Sequence, residues 1–198
     1  MTELPNEEAA WERVDELDDL DAEAIVVATP PAESARLLGE AEPDLDPSPI
    51  VSVHLLFDRR LLGTPLAALL GADAHWIFDR GALTGHEPER GQYLTVVSSG
   101  VPELMDVRGR DLVDRITAEV TERLGPAELL WSRVSREPNA TIALRPGTER
   151  PSARTSRSNV TRAGAWTATG WPPTMESAVR SGRTAARLLS DVTTKVPA

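Results

Sequence analysis

The sequence predicts an α/β chain with α+β character, which combines one strand of the parallel type with an antiparallel sheet and amphipathic helices. Residues 24–29 form a short apolar run rich in β-branched side chains and end at two prolines, a pattern typical of a buried parallel strand. Three further strand patterns follow close together, which favours an antiparallel sheet. Residues 106–124 and 172–189 have apolar side chains at helical spacing.

The first quarter of the chain alternates helical and strand patterns. Residues 4–20 place apolar side chains at helical spacing opposite a strongly acidic face, which predicts a surface helix or a partly ordered arm. The strand at 24–29 leads into a predicted helix at 31–38, with proline in its first turn. A loop at 43–49 then precedes a predicted strand at 50–57. The apolar face of that strand consists of Val51, Val53, Leu55 and Phe57.

The middle of the chain supplies the other two strands of the predicted sheet. The uncharged, leucine-rich segment 61–71 predicts either a short buried helix or the wall of an apolar groove. Residues 75–79 and 93–98 read as strands, and the glycine-containing segment 81–91 predicts the turn between them. This spacing supports the antiparallel arrangement.

The clearest amphipathic helix spans 106–124, and Gly125 followed by proline ends it. Residues 129–134 and 140–144 are shorter strand candidates, and the polar segment 145–162 predicts a loop.

An uncharged loop at 163–175 leads into the last predicted helix, which begins at Pro172 or Pro173. Its predicted inner face consists of Met175, Ala178, Val179, Gly182, Ala185 and Leu189. Free backbone N–H groups and the dipole favour an anion at such a helix start. Taken from the residues alone, a simple turn with a helix cap explains the same pattern and is favoured.

Composition excludes several classes of protein. The chain has 198 residues, a formal net charge of −10 and no cysteine, so it has no disulfide framework, thiolate metal site or cysteine nucleophile. The longest stretch without a charged residue, at 163–175, is far shorter than the ~20 residues of a membrane-spanning helix. The acidic N-terminus has no pattern of a secretory leader, which predicts a cytoplasmic location.

Charge is distributed unevenly along the chain. Residues 1–23 contain ten acidic residues and one arginine, whereas residues 133–187 contain ten arginines and three glutamates. An arginine-rich stretch can bind nucleic acid or an anionic cofactor, but the overall acidity argues against nucleic acid.

The usual catalytic and metal-binding patterns are missing from the sequence. His54, His75 and His86 are too far apart for a His-Glu-x-x-His pattern, so no metal site is predicted. No Gly-x-Ser-x-Gly elbow and no Gly-x-Gly-x-x-Gly loop occurs, and Lys195 is not placed for a phosphate-binding loop. The residues assign no catalytic group.

One C-terminal run carries a family resemblance. It reads Ala-Gly-Ala-Trp-Thr at 163–167, Thr-Gly at 169–170 and Pro-Pro-Thr-Met-Glu-Ser-Ala-Val-Arg-Ser-Gly at 172–182. It resembles the C-terminal flavin motif of the FAD-dependent amine oxidase and phytoene desaturase superfamily, and within it the squalene-associated branch, the hydroxysqualene dehydroxylases. The resemblance implies the C-terminal part of a two-domain FAD-dependent oxidoreductase, with partial FAD-domain elements and an antiparallel-sheet substrate domain.

The resemblance also implies a division of the chain. Residues 1–23 would be an acidic helix or arm, and 24–40 a strand and turn of the FAD domain. Residues 41–145 would form a substrate-type domain, 146–191 the C-terminal FAD-binding segment, and 192–198 a tail.

The cofactor and its contacts are implied by the same motif. The pair that contacts the ribityl and pyrophosphate region of FAD corresponds to Gly164 and Ala165. The residues that approach the isoalloxazine ring correspond to Thr169, Gly170, Trp171, Thr174, Met175 and Glu176. Two positions depart from the family pattern, which has aspartate where this chain has Ala165 and glycine where it has Ser177. The loss of the aspartate removes an acceptor for ribityl hydroxyls, so we expect weaker FAD binding.

The implied substrate is an apolar isoprenoid of the squalene type that carries a hydroxyl group. Apolar walls for it would come from 61–70, Trp76 and Phe78, although ordinary core packing explains these residues equally well. The family's N-terminal Gly-x-Gly-x-x-Gly half has no counterpart in this sequence, so either a second polypeptide supplies it or the chain is a truncated relic. The resemblance allows peripheral contact with a membrane. The alternative function is a noncatalytic binding or assembly subunit whose acidic helix docks on a basic partner.

Overall fold

The computed structural model describes residues 13–143, 145–167 and 174–193, with side chains described as far as residue 190. These residues fall into two compact units. Unit 1 comprises the described residues up to Leu45 and those from residue 145 onward, and unit 2 comprises Asp46–Ala143. The helices and strands in chain order are β1 (Ile25–Val27), α1 (Pro31–Leu38), β2 (Pro47–Phe57), β3 (Leu66–Ala68), β4 (Trp76–Asp79), α2 (Arg80–Thr84), β5 (Gln92–Ser99), α3 (Gly109–Leu124), β6 (Leu129–Ile142), β7 (Val160–Arg162) and α4 (Met175–Thr193).

Unit 1 contains a two-stranded parallel sheet, in which β1 pairs with β7. The predicted parallel strand at 24–29 is therefore confirmed. Helix α1 matches its predicted bounds, since Pro31 occupies the first turn and Gly39 ends the helix in the left-handed conformation at φ 66°. Among the described residues of this unit, one buried apolar cluster consists of Leu17, Val27, Leu38 and Val160. Further buried apolar residues of the unit are Ala35, Ala163, Trp166, Ala185 and Leu189.

Two predictions for unit 1 are wrong in part. A surface helix or a partly ordered arm was expected at 4–20, and residues 4–12 of that segment lie outside the described residues. From Arg13 onward the chain forms only a 3-10 turn at Leu17–Asp19. The loop expected at 145–162 ends in β7. Three residues of strand carry too little periodicity to be detected, and β7 forms because β1 offers its edge.

Unit 2 contains a five-stranded sheet in the order β3-β4-β5-β2-β6, and each neighbouring pair is antiparallel. The predicted antiparallel sheet is confirmed. Alternation along β2 places Val51, Val53, Leu55 and Phe57 in the core, where they are at most 1% exposed. The buried residues of α3, namely Leu112, Val113, Ile116 and Val120, belong to the same core. One face of the sheet is therefore packed against a helix.

Several boundaries in unit 2 differ from prediction. Within 61–71 the chain forms the short strand β3 and not a helix. The expected turn at 81–91 contains α2, which begins because Asp79 caps it by accepting a hydrogen bond from the backbone N–H of Ala82 at 3.1 Å. The two strands expected at 129–134 and 140–144 are one strand, β6, because β2 pairs along almost its whole length. Helix α3 begins at Gly109 and not at residue 106.

Candidate functional site

The carboxyl ends of β1 and β7 meet at one edge of the parallel sheet. Val27 pairs with Arg162, and the backbone N–H of Ala163 donates to the carbonyl of Val27 at 2.9 Å. Two residues after each strand lie Thr29 and Gly164, which therefore leave the sheet at the same edge. In open α/β sheets, ligands bind beyond the carboxyl ends of the strands. This edge is the first candidate site.

A tight turn follows β7 at Gly164. Thr167 donates to the carbonyl of Gly164 from its backbone N–H at 3.0 Å and from its hydroxyl at 2.9 Å. The indole of Trp166 lies so close that a Cβ at position 164 would be 2.7 Å from its Cδ1 atom. Glycine is required here because any side chain would collide with that buried ring.

A buried arginine fixes the same turn from the other side. Arg162 is 5% exposed, forms an ion pair with Glu40, and donates from Nε to Ser34 at 3.3 Å and from Nη1 to the Ser152 carbonyl at 3.0 Å. Its guanidinium lies 5.8 Å from the ring centroid of Trp166. This part of the basic stretch therefore stabilises the fold of unit 1.

A reciprocal cap defines the start of α4. The Thr174 hydroxyl accepts from the backbone N–H of Ser177 at 3.3 Å, and the Ser177 hydroxyl accepts from the backbone N–H of Thr174 at 3.4 Å. This is a capping box in which serine replaces the usual glutamate. Ser177 is fully buried, and its hydroxyl forms this cap at a position where the family pattern has glycine.

The second turn of α4 is tied to the Gly164 turn. The hydroxyl of Ser181 accepts from the backbone N–H of Gly164 at 2.9 Å and donates to the carbonyl of Ala178 at 2.7 Å. Ser181 is 4% exposed, so this contact is protected from water. It brings the two halves of the predicted flavin motif into contact.

The structure places five of the eight predicted cofactor residues. Gly164 and Ala165 lie in the turn after β7, and Thr174, Met175 and Glu176 lie at the start of α4. Thr169, Gly170 and Trp171 lie outside the described residues. The carboxylate of Glu176 accepts from Arg180 one turn further along, at 2.7 and 3.0 Å. The side chain of Met175 is 88% exposed.

The groups at this edge fit the polar part of a flavin nucleotide. Within the described part of the chain, the buried hydroxyl oxygen of Thr29, two residues after β1, has no hydrogen-bond partner. The first amides of α4, at Met175 and Glu176, precede the first hydrogen bond inside the helix and carry the positive end of its dipole. These donors suit anionic and hydroxyl oxygens. The side chain of Ala165 has no hydrogen-bond acceptor, as expected from alanine in place of the family's aspartate.

The predicted inner face of α4 is wrong in part. Ala185 and Leu189 are buried as expected, but the other buried positions are Ser177 and Ser181. Met175 and Val179 are 88% and 55% exposed, so an apolar stripe of this helix is not covered by the described residues of its own unit. Periodicity identified the apolar stripe, but polar serines, which no apolar pattern marks, form part of the buried surface.

The second candidate site is the face of the unit 2 sheet opposite α3. The strand register places aromatic and apolar side chains on it from several neighbouring strands. These are Leu56, Trp76, Phe78, Tyr93 and Trp131. Trp76 and Trp131 are 47% and 48% exposed, and the rings of Tyr93 and Trp131 meet edge to face at 6.2 Å. Large exposed aromatic groups on one face indicate a binding surface.

A polar cluster interrupts that aromatic face. His54 of β2 lies opposite Thr95 on one side and Arg133 on the other. Its Nδ1 atom is 3.1 Å from the Thr95 hydroxyl and 3.2 Å from the Tyr93 hydroxyl. Partial burial lowers the pKa of His54 below its usual value, and the positive charges of Arg80 and Arg133 lower it further. The imidazole is therefore neutral at pH 7.

The apolar walls predicted from 61–70, Trp76 and Phe78 divide between two roles. Leu62 belongs to the buried core at 4% exposure, whereas Leu70 is 85% exposed. Trp76 and Phe78 pair with β5 on the open face. The two aromatic residues are thus available to a ligand, and much of the leucine-rich segment packs the core.

The sequence alone did not identify several residues that form the hydrogen bonds of the two candidate sites. The Thr-x-x-Ser spacing at 174–177 could have indicated the capping box. The contacts of His54 with Tyr93 and Thr95, and those of Arg162, join residues far apart in sequence and have no local signal. Among the described residues, no group of three or more histidine, aspartate or glutamate side chains is arranged to hold a metal ion. In that same part of the chain, no helix is both long enough and apolar enough to span a bilayer.

Comparison with known proteins identifies the family. The family described as "Flavin containing amine oxidoreductase" matches residues 6–190. Two relatives named hydroxysqualene dehydroxylase are each 32% identical, one from Sinorhizobium fredii over 87% of this chain and one from Rhodopseudomonas palustris over 84%. This chain covers 40% and 38% of their respective lengths.

Solved structures agree in fold. Cyclohexylamine oxidase from Brevibacterium oxydans has a TM-score of 0.62 at 15% identity, and the likeness covers 86% of this chain and 43% of that one. An oxidoreductase from Methanosarcina mazei has a TM-score of 0.62 at 18% identity, over 85% of this chain and 43% of its own. Since the family match spans most of the sequence and includes the Gly164 turn and α4, the chain belongs to the flavin-containing amine oxidoreductase family.

Proposed function

We propose that this chain contributes the C-terminal half of an FAD site and a substrate-binding face to an oxidoreductase that removes a hydroxyl group from a squalene-type isoprenoid. A second polypeptide supplies the N-terminal Gly-x-Gly-x-x-Gly half. The observation that carries the proposal is the hydrogen bond between Ser181 and Gly164, because it joins the two halves of the flavin motif beside the carboxyl ends of parallel strands.

The flavin-binding role follows from the donors at that edge. The hydroxyl of Thr29 is buried without a partner among the described residues, and the start of α4 offers free amides. We assign them to oxygen atoms of the cofactor. FAD in its reduced form, when bound, would supply the hydride that replaces the hydroxyl group. No residue of this chain is assigned as a proton donor to the leaving oxygen.

The substrate class follows from the open face of unit 2. Exposed aromatic rings at Trp76 and Trp131 suit a long hydrocarbon, and the polar cluster at His54 suits one oxygen atom. The relatives named hydroxysqualene dehydroxylase support a hydroxylated squalene.

One observation weighs against the alternative of an acidic docking arm. Asp18 accepts from Arg157 at 2.7 and 3.3 Å, and this guanidinium lowers the pKa of Asp18. Asp18 of the acidic segment therefore pairs with Arg157 of its own unit, and it is not a free acidic group for a basic partner.

The test is titration of FAD, followed by flavin absorbance, with the chain alone, the second polypeptide alone and the two together. Flavin bound by the mixture and by neither component alone supports the proposal. No bound flavin in the mixture contradicts it and favours the noncatalytic subunit, and flavin bound by this chain alone contradicts the division between two polypeptides.

Restoring the missing carboxylate sharpens this test. Ala165→Asp in the mixture should tighten FAD binding by about 10- to 150-fold, because one charge-assisted hydrogen bond contributes about 1.5–3 kcal/mol. Gly164→Ala should abolish it, since the new Cβ collides with Trp166. Gly109→Ala is the matched control, because a Cβ there meets open space in unit 2. If neither Ala165→Asp nor Gly164→Ala changes the affinity for FAD, the turn after β7 is not part of the flavin site.

A further inference from the structure

The polar cluster on the open sheet face has one unused hydrogen-bonding atom. Nδ1 of His54 contacts the hydroxyls of Tyr93 and Thr95, whereas Nε2 has no hydrogen-bond partner in the described ranges. Because the phenol of Tyr93 is the more acidic hydroxyl, we assign it as the donor to Nδ1, which places the proton of the neutral imidazole on Nε2. A neutral histidine in this tautomer offers one N–H donor.

The surroundings keep the imidazole neutral and oriented. Arg80 begins α2 and Arg133 lies on β6 directly opposite His54, and their charges disfavour a third positive charge between them. Tyr93 and Thr95 both lie on β5, so the ring is held by a rigid neighbouring strand. The ring of Tyr93 is 6.1 Å from the imidazole centroid and also meets Trp131. The donor therefore lies at the border of an aromatic surface.

We propose that His54, positioned by Tyr93 and Thr95, recognises the hydroxyl group of the isoprenoid and sets the preference for a hydroxylated substrate over the parent hydrocarbon. This inference rests on the substrate face of the proposed function. The Nε2–H group donates to the hydroxyl oxygen while the hydrocarbon lies along the exposed rings of Trp131 and Trp76. A hydrocarbon without the hydroxyl leaves the donor unpaired, which is the basis of the preference.

A single hydroxyl fits this cluster better than a phosphate ester. The imidazole is neutral and offers one donor, and the two arginines lie exposed on separate elements, α2 and β6. A diphosphate would require the arginines themselves as its principal contacts. Binding of a hydroxylated ligand should therefore depend on His54, whereas binding of a diphosphate should depend on the two arginines.

The test measures binding of farnesol, farnesene and farnesyl diphosphate to the full chain by quenching of tryptophan fluorescence, without FAD and without a second polypeptide. We expect farnesol to bind about tenfold more tightly than farnesene. His54→Phe should equalise the two affinities by weakening farnesol alone, and Tyr93→Phe should reduce the ratio while retaining the ring. His86→Phe, at an exposed histidine after α2, is the matched control and should leave the ratio unchanged.

Three results would overturn the inference. Equal affinities of the original chain for farnesol and farnesene would remove the hydroxyl preference. A preference that survives in His54→Phe would assign it to another residue. Tightest binding of farnesyl diphosphate, lost in Arg133→Gln and kept in His54→Phe, would make this a phosphate site. Because FAD takes no part, failure here is separate from failure of the flavin titration.

Discussion

The two units of the chain differ in how completely each forms its own core. Unit 2 buries apolar residues from three strands, β2, β4 and β5, and from α3 in one cluster, with Leu55, Phe57, Ile77 and Ile116 fully covered. Unit 1 has two strands of three residues and a buried apolar cluster of Leu17, Val27, Leu38 and Val160. A two-stranded parallel pair is marginal by itself, since parallel sheets normally lie buried between layers.

The two units therefore differ in what holds their described residues together: unit 2 has one large apolar cluster, whereas unit 1 relies in part on buried polar contacts. Arg162, Ser177 and Ser181 are buried and polar in unit 1. The exposed stripe of α4, with Met175 and Val179, is apolar but uncovered by the described residues.

The largest expected effect is the stability lost when a buried apolar side chain is truncated, and this loss should differ between the two units. Ile116→Ala should cost about 3–4 kcal/mol, because it opens a cavity in a fully packed cluster. Leu38→Ala in unit 1 should cost about 2 kcal/mol, because its cluster is small and collapses more easily. Hydrogen exchange of the amides of α3 and α1 measures each loss locally. Equal losses in the two helices would contradict the difference in packing.

Removal of the buried arginine should have the next largest effect, confined to unit 1. Arg162→Met leaves the partly exposed Glu40 without its ion-pair partner and should cost about 2–3 kcal/mol. Arg157→Met is the matched control, because its ion pair with Asp18 is exposed and screened by solvent. The measurement is protection of β1 and β7 against hydrogen exchange. Retained protection in Arg162→Met would show that the arginine does not hold the unit.

Much of the fold could be predicted from the sequence because its signals are local. Alternation gave the core face of β2, and proline and glycine marked the ends of α1. β7 could not be predicted, since a three-residue strand exists only through its pairing with β1. Met175 and Val179 were expected to be buried, but they are exposed. Periodicity identifies the apolar face of a helix and does not show which part of that face is buried.

The candidate site was predictable only through the family motif. The motif predicted a turn at Gly164 followed by a helix, and the helix begins at Met175, whereas the predicted start at Pro172 or Pro173 lies outside the described residues. The flavin contacts themselves stay predictions, as do the functions assigned to 24–40, 41–145 and 146–191. Ser181 and the cluster of His54 with Tyr93 join segments distant in sequence, so no pattern could indicate them.

The smallest expected effect is a dependence on pH that differs between the units. The pKa of His54 is lowered in the folded chain, so the unfolded chain binds the proton more strongly, and unit 2 loses stability as pH falls below about 6.5. The pKa of Asp18 is lowered by Arg157, so its contribution to unit 1 is complete above about pH 3.8 and is lost as pH falls from there through the lowered pKa.

Hydrogen exchange at pH 7.5 and pH 5.5, with rates corrected for intrinsic pH dependence, checks this. Protection of unit 2 should fall slightly at the lower pH in the original chain and less in His54→Gln. An equal change in both proteins would show that another group is responsible.

The most direct test of the unequal units is hydrogen exchange by mass spectrometry on the chain alone and on the mixture with the second polypeptide and FAD. The chain alone should protect the sheet and α3 of unit 2 strongly, and β1, β7 and α4 weakly. The mixture should raise protection in β1, β7 and α4. Strong protection of unit 1 in the chain alone, with no change in the mixture, would contradict the account.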